Sequence, residues 1–223
     1  MMKIAVFGSK GKFGETAAKL FSSNGHEVSG FDISDGEFKI PGGFDIYFLA
    51  IPLASVIKMI KTLKDGVIIE IGSIKKPLKG FSGKLVSIHP MFGPKSINDP
   101  AFRNIIYIDD LSLKDGDKII QALFPGFRMI HMTTDQHDSA MGDLLVKPYI
   151  FSLLANGVMT GEYDFGGFSY NSMKKFKDLV NSESRQVVMD TILLNPESPE
   201  IIRKIREYLD NLENQMREAI IKQ

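Results

Sequence analysis

The sequence predicts an α/β fold: a doubly wound parallel sheet at the N-terminus, followed by a smaller all-α domain. Three observations carry this expectation. Short apolar runs that stop abruptly recur up to about residue 132, with helical spacing between them. A glycine-rich turn joins the first run to the first helical segment. No strong strand pattern returns after Met132.

The elements follow in order. Lys3 to Phe7 is a short apolar run ending at Gly8, the pattern of a strand buried on both faces. Phe13, Ala17, Leu20 and Phe21 recur at helical spacing up to Ser23, and Asn24-Gly25 stops the helix. Glu27 to Phe31 is a second strand, with Asp32 at its end. Asp45 to Ala50 is a third, followed by Pro52 and a helix to about Leu63. Gly66 to Ile71, Lys84 to Ile88, Asn104 to Ile108 and Phe127 to His131 supply the remaining strands. Thr133, Thr134 and Asp135 then offer helix caps. A long helix is expected up to about Met159, kinked at Pro148, which removes a backbone hydrogen bond. Further helices run from Ser169 to Lys222, broken near Asn195-Pro196 and Ser198-Pro199. The expected domains are residues 1–132 and 133–223.

With 223 residues, 43% of them hydrophobic, the chain can bury a sizeable core. Lys plus Arg and Asp plus Glu both number 27, so no basic surface argues for nucleic acid or membrane as partner. There is no Cys, which removes thiol chemistry and disulfides and fits the cytoplasm. No pair of His at ligand spacing suggests a metal. The N-terminus lacks the pattern of a signal peptide, and no apolar stretch is long enough for a membrane span.

The turn after the first strand has the spacing GxxGxxG. Gly8 permits the tight exit from the strand, Gly11 lets the backbone approach a pyrophosphate, and Gly14 lets helix and strand pack closely. Gly8, Ser9, Lys10, Gly11, Lys12, Phe13 and Gly14 are therefore expected to hold a dinucleotide on the amides of the helix start. Asp32 follows Gly14 by 18 residues, close to the position of a ribose-binding carboxylate. Ala50, Ile51 and Pro52, at the end of the third strand, complete the expected cofactor set. Asp32, with Asp35 nearby and no Arg beside it, favours NAD over NADP, because a carboxylate repels a 2′-phosphate.

Two later segments each follow an expected strand: Gly72-Ser73-Ile74-Lys75, and His89-Pro90-Met91-Phe92-Gly93-Pro94. Together they resemble the prephenate dehydrogenase family, which includes arogenate and cyclohexadienyl dehydrogenases. The resemblance continues through Thr134-Asp135-Gln136-His137-Asp138, Met141 and Lys147-Pro148-Tyr149. It covers the chain well to about residue 155 and loosely beyond. It implies oxidative decarboxylation of prephenate to 4-hydroxyphenylpyruvate in tyrosine biosynthesis, with hydride passing to NAD. By the same resemblance His89 is the base that accepts the substrate hydroxyl proton, Ser73 orients it, and Lys75 supports the loop. An imidazole with a pKa of about 6.5 suits a base near neutral pH.

The sequence departs from the family in places. A second His commonly follows the Pro of the kinked helix, where this chain has Tyr149. The Arg that holds a substrate carboxylate has no counterpart in residues 176–181; Lys177 and Arg185 are the nearby cations. Lys95, where the family often has an acid, is the expected substitute. The expected substrate set is thus Tyr149, Lys95, Lys147 and Arg185. Tyr149 also reads as a core residue, and Lys95 as a solvated one. His137-Asp138 has a functional reading, with His137 in the substrate cleft, and a structural one, with Asp135 or Asp138 favourable at a helix start; the structural one is expected. Ile201, Ile202, Ile205, Tyr208, Leu209 and Leu212 follow helical spacing, and a homodimer through the C-terminal helices would cover them. The alternatives are arogenate or another small substrate, and a non-catalytic NAD-binding regulatory protein.

Overall fold

The structure is a computed structural model that describes residues 1–36 and 42–221. Lys222, expected at the end of the last helix, lies outside the described residues. The chain divides into two compact units, Met1–His137 and Asp138–Gln223.

The first unit is built on seven strands: β1 (Lys3–Phe7), β2 (Glu27–Phe31), β3 (Ile46–Leu49), β4 (Val67–Glu70), β5 (Val86–Pro90), β6 (Asn104–Ile108) and β7 (Arg128–Met132). Their order in the sheet is β2-β1-β3-β4-β5-β6-β7. Helices α1 (Lys12–Ser23), α2 (Leu53–Thr62) and α3 (Gly116–Leu123) belong to the same unit. Both faces of the central strands are covered. Ile4, Val6, Phe48, Ile69 and Ile88 pack with Ala17 and Phe21 of α1 and Ile120 and Leu123 of α3. Their alternating neighbours Ala5, Phe7, Tyr47 and Leu49 are buried as well. Burial on both faces is why these strands read as continuous apolar runs.

The sheet is parallel, as expected, with one exception. β5 and β6 pair antiparallel, in the register His89↔Ile106, while β6 and β7 are again parallel. The physical reason lies in the connections. α3 carries the chain between β6 and β7, as a parallel crossover requires. Residues 91–103, between β5 and β6, hold only one 3-10 turn, Pro100–Phe102.

The order of strands reverses between β1 and β3, with β2 on the far side of β1. That is the switch point at which open α/β sheets place ligands, outside the carboxyl ends of the strands. The register Phe7↔Leu49 sets the ends of β1 and β3 side by side there.

Helix α4 (Thr134–Met141) begins two residues after β7. Its start is a reciprocal capping box: Thr133 Oγ1 accepts from the Gln136 amide at 3.3 Å, and Gln136 Oε1 accepts from the Thr133 amide at 2.9 Å. Asp110 adds a second anchor, accepting from both the amide and the hydroxyl of Thr134. The helix then widens into a π turn, Gly142–Val146, before α5 (Lys147–Val158). Pro148, at the start of α5, lacks an amide hydrogen and crowds the carbonyl four residues back. The wide turn spans that carbonyl, so the expected kink is taken up as a π turn.

The second unit is helical: α6 (Phe168–Lys177), α7 (Arg185–Leu194) and α8 (Ser198–Ile221) join α5. Val146, Tyr149, Ile150, Val188, Ile192 and Ile201 form its core. Among the described residues no helix is long and apolar enough to cross a membrane.

Candidate active site

The glycine loop leaves β1 at Gly8, whose φ of +78° is a left-handed conformation that disfavours any side chain. Space forbids one too: a Cβ at Gly8 would meet the Ala50 carbonyl oxygen at 2.2 Å, and a Cβ at Gly14 would meet the Gly8 oxygen at 2.1 Å. The loop is therefore held against the end of β3 on one side and the start of α1 on the other. The Gly8 and Ser9 amides both donate to the Phe31 carbonyl, at 2.8 and 3.2 Å, which ties the loop to the end of β2. Gly11 caps α1 in an extended conformation, with no side chain closing the helix start. Such a helix start binds anions through its exposed amides and dipole.

Asp32 stands at the rim of this loop. It accepts from the Lys10 amide at 3.2 Å and the Ser34 amide at 3.0 Å. The Ser34 hydrogen bond is the main reason its carboxyl lies below the usual range, so it is ionised at neutral pH. The Lys10 ammonium is bound by Asp35. A 2′-hydroxyl fits this rim better than a 2′-phosphate. Ala50, Ile51 and Pro52 lie across the loop, with the Ala50 amide donating to the Phe7 carbonyl at 2.9 Å.

His89 and Ser73 lie at the carboxyl ends of β5 and β4. The register Glu70↔Ser87 sets the end of β4 beside β5 two residues before His89. A buried ion pair fastens the two ends together. The Lys75 ammonium donates to Glu70 Oε1 at 2.6 Å and to the Ile88 carbonyl at 2.7 Å. The Ser87 hydroxyl also donates to Glu70 Oε1, and the Gly72 amide donates to Oε2 at 2.8 Å. Lys75, Glu70 and Ser87 are all fully buried. The expectation that Lys75 supports the loop thus has a concrete form: its charge ties the Ser73 loop to the backbone one residue before His89.

His89 is 7% exposed. Burial above all, then the proximity of His137 and Lys75, holds its imidazole well below the ordinary value of 6.5, so it is neutral at neutral pH. Its Nδ1 lies 3.0 Å from Nε2 of His137, which is itself fully buried. The structural role expected for His137 therefore understates its position, since its ring is the partner of His89.

The four expected substrate residues fall in both units. Lys95 is exposed in the turn that follows β5. In the helical unit, Tyr149 packs into the core at 7% exposed, and its phenol is pushed up to about 12 by burial and by Glu183. Lys147 is paired with Asp143, and Arg185 is exposed at the start of α7.

Sequence reasoning missed Glu70, Ser87 and the contact of His137 with His89. Glu70 carried a usable signal, as a carboxylate inside the run Val67–Ile71 of an expected buried strand. His137 stood in a motif that the resemblance singled out, but a separation of 48 residues hid its pairing with His89.

No protein-family model and no curated protein matches the chain. Solved structures do. It is similar to a prephenate dehydrogenase from A. aeolicus in complex with hydroxyphenyl propionate and NAD+. The TM-score is 0.71 at 17% identity, over 98% of this chain and 92% of that one. A Synechocystis arogenate dehydrogenase gives 0.66 at 16%, over 98% and 93%. The chain has the prephenate dehydrogenase fold. A more distant likeness, to an NADH-preferring ketol-acid reductoisomerase from an uncultured archean, has a TM-score of 0.54 at 13% identity, over 97% and 84%.

Proposed function

We propose that this chain is an NAD-dependent dehydrogenase that oxidatively decarboxylates prephenate to 4-hydroxyphenylpyruvate in tyrosine biosynthesis. One observation carries the reading: His89, neutral and buried, stands at the carboxyl end of β5 in the same sheet whose β1 end forms a dinucleotide cradle. The cradle fits the cofactor on its own terms. The absence of a Cβ at Gly8 and Gly14 lets the loop pack against the Ala50 and Gly8 carbonyls, the start of α1 is uncapped, and Asp32 is ionised at the rim.

When bound, NAD accepts the hydride that leaves the ring carbon bearing the 4-hydroxyl. His89 draws the hydroxyl proton as that carbon is oxidised. The bond to the ring carboxylate breaks, carbon dioxide leaves, and the electron pair of that bond completes the aromatic ring. The proton then returns from His89 to the product phenol. Ser73 orients the hydroxyl and the imidazole. The Lys75–Glu70 pair holds both residues at a fixed separation.

Lys95 is the cation we assign to the substrate carboxylate, because Lys147 is already paired with Asp143. A charged hydrogen bond is worth about 1.5–3 kcal/mol. Lys95→Ala should then raise the KM for prephenate by about one to two decades without changing the affinity for NAD; an unchanged KM rules Lys95 out. We place the reaction in the cytoplasm, as expected of a cysteine-free chain, and in a homodimer formed through the C-terminal helices.

The Synechocystis structure favours a second reading, in which arogenate replaces prephenate. Steady-state NADH formation with each substrate in turn decides between them. A higher kcat/KM with prephenate supports the proposal, a higher value with arogenate transfers the mechanism to that substrate, and no turnover of either overturns it.

A further inference from the structure

We infer that His137 is a positioning residue that sets the tautomer of His89, leaving the proton on His89 Nδ1 and a bare Nε2 facing the substrate. The inference deepens the proposed function and rests on it for the role of His89 as base.

The two rings meet through His89 Nδ1 and His137 Nε2 at 3.0 Å. One hydrogen lies between the two nitrogens at that distance, and it can sit on either of them. If it sits on His137 Nε2, His89 Nδ1 is the acceptor and His89 carries its own hydrogen on Nε2. The outward nitrogen is then a donor and cannot take a proton. If it sits on His89 Nδ1, the outward Nε2 has its lone pair free and His89 is a competent base. His137 then holds its own proton on Nδ1 and accepts through Nε2.

The second arrangement gains strength during the reaction. When His89 takes up the hydroxyl proton, its bond to His137 becomes charge-assisted, which stabilises the imidazolium at the moment it forms. A carboxylate would orient the ring in the same way, as the Asp of a catalytic triad does. An imidazole does so without adding negative charge beside a substrate that carries two carboxylates.

His137 is well placed to hold a fixed geometry. It lies in the first turn of α4, and its amide donates to the Thr133 carbonyl at 2.9 Å. The Thr133–Gln136 capping box and the Asp110 anchor on Thr134 fix that turn. On the other side, the Lys75 bond to the Ile88 carbonyl fixes the backbone that carries His89.

Nitrogen-15 spectra of the histidine rings in the full chain, without substrate, read the tautomer directly. Protonated Nδ1 on His89 and on His137 is expected. A resting His89 protonated on Nε2 overturns the inference, and this arm needs no variant to fold. His137→Leu removes the acceptor, and should let the His89 proton move to Nε2. It should also lower kcat by about 10²-fold, part of what general-base catalysis supplies, with the affinity for NAD unchanged. His137→Gln keeps an acceptor oxygen and should recover kcat to within about tenfold. An unchanged kcat in His137→Leu also overturns the inference. If the spectra show the expected tautomer but neither prephenate nor arogenate is turned over, the His pair stands and the proposed function fails.

Discussion

The residues that organise the site are a buried ion pair and a buried imidazole, and each has a measurable signature. Lys75 and Glu70 are both fully desolvated, so removing one partner leaves the other charge without compensation. Lys75→Met should cost about 3–5 kcal/mol of stability in urea unfolding. Replacing Glu70 by Leu in the same chain should restore a large part of that loss; if the double variant is no more stable than Lys75→Met, the two residues are not coupled. His89 has a signature in pH. Unfolded, its imidazole ionises near pH 6.5; folded, burial, His137 and Lys75 hold it well below that value. The unfolded chain therefore binds the extra proton first as the pH falls, and stability declines below about pH 6.5. Above that pH the group adds no slope. His89→Gln should flatten the decline in the urea midpoint between about pH 7 and pH 5. An identical decline in the variant would assign the slope to other groups.

Among the elements, what the sequence revealed and what it hid follow from physical causes. The strands were legible because burial on both faces requires unbroken apolar runs. Their ends shifted by a residue or two, since Lys84 and Leu85 look as apolar or extended as the true start at Val86. Direction was hidden: an apolar run pairs equally well either way, so the antiparallel pair β5–β6 became visible only from the connection at residues 91–103. The glycine loop was legible because only glycine survives at Gly8 and Gly14. Glu70 stood out as a carboxylate within an apolar run, whereas the pairing of His137 with His89 was hidden by their distance along the chain. The apolar stripe of α8 was legible and has a consequence. Ile202, Ile205, Leu209, Leu212 and Met216 recur at alternating intervals of three and four residues. Leu209 and Leu212 are 55% and 47% exposed in the single chain. If a second copy covers this stripe, Leu209→Glu with Leu212→Glu should convert a dimer to a monomer in sedimentation equilibrium. A wild-type chain that sediments as a monomer would remove the homodimer from the account.

At the scale of the whole molecule, the order of strands and the chemistry at their ends fit the proposed dehydrogenase. The switch between β1 and β3 places an anion-binding helix start and the Asp32 carboxylate at one end of the sheet. The carboxyl ends of β4 and β5, on the same edge, carry Ser73 and His89. Few functions need a dinucleotide cradle and a neutral, buried base together, and hydride transfer coupled to loss of a hydroxyl proton is one that does. The buried Lys75–Glu70 pair ties the loop that carries Ser73 to the strand that carries His89. The most direct test is NADH formation from NAD and prephenate by the wild-type chain and by His89→Asn, with NAD affinity measured for both. The account predicts turnover by the wild type and a fall in kcat of at least about 10²-fold in the variant at equal NAD affinity. Turnover that survives in His89→Asn would contradict it.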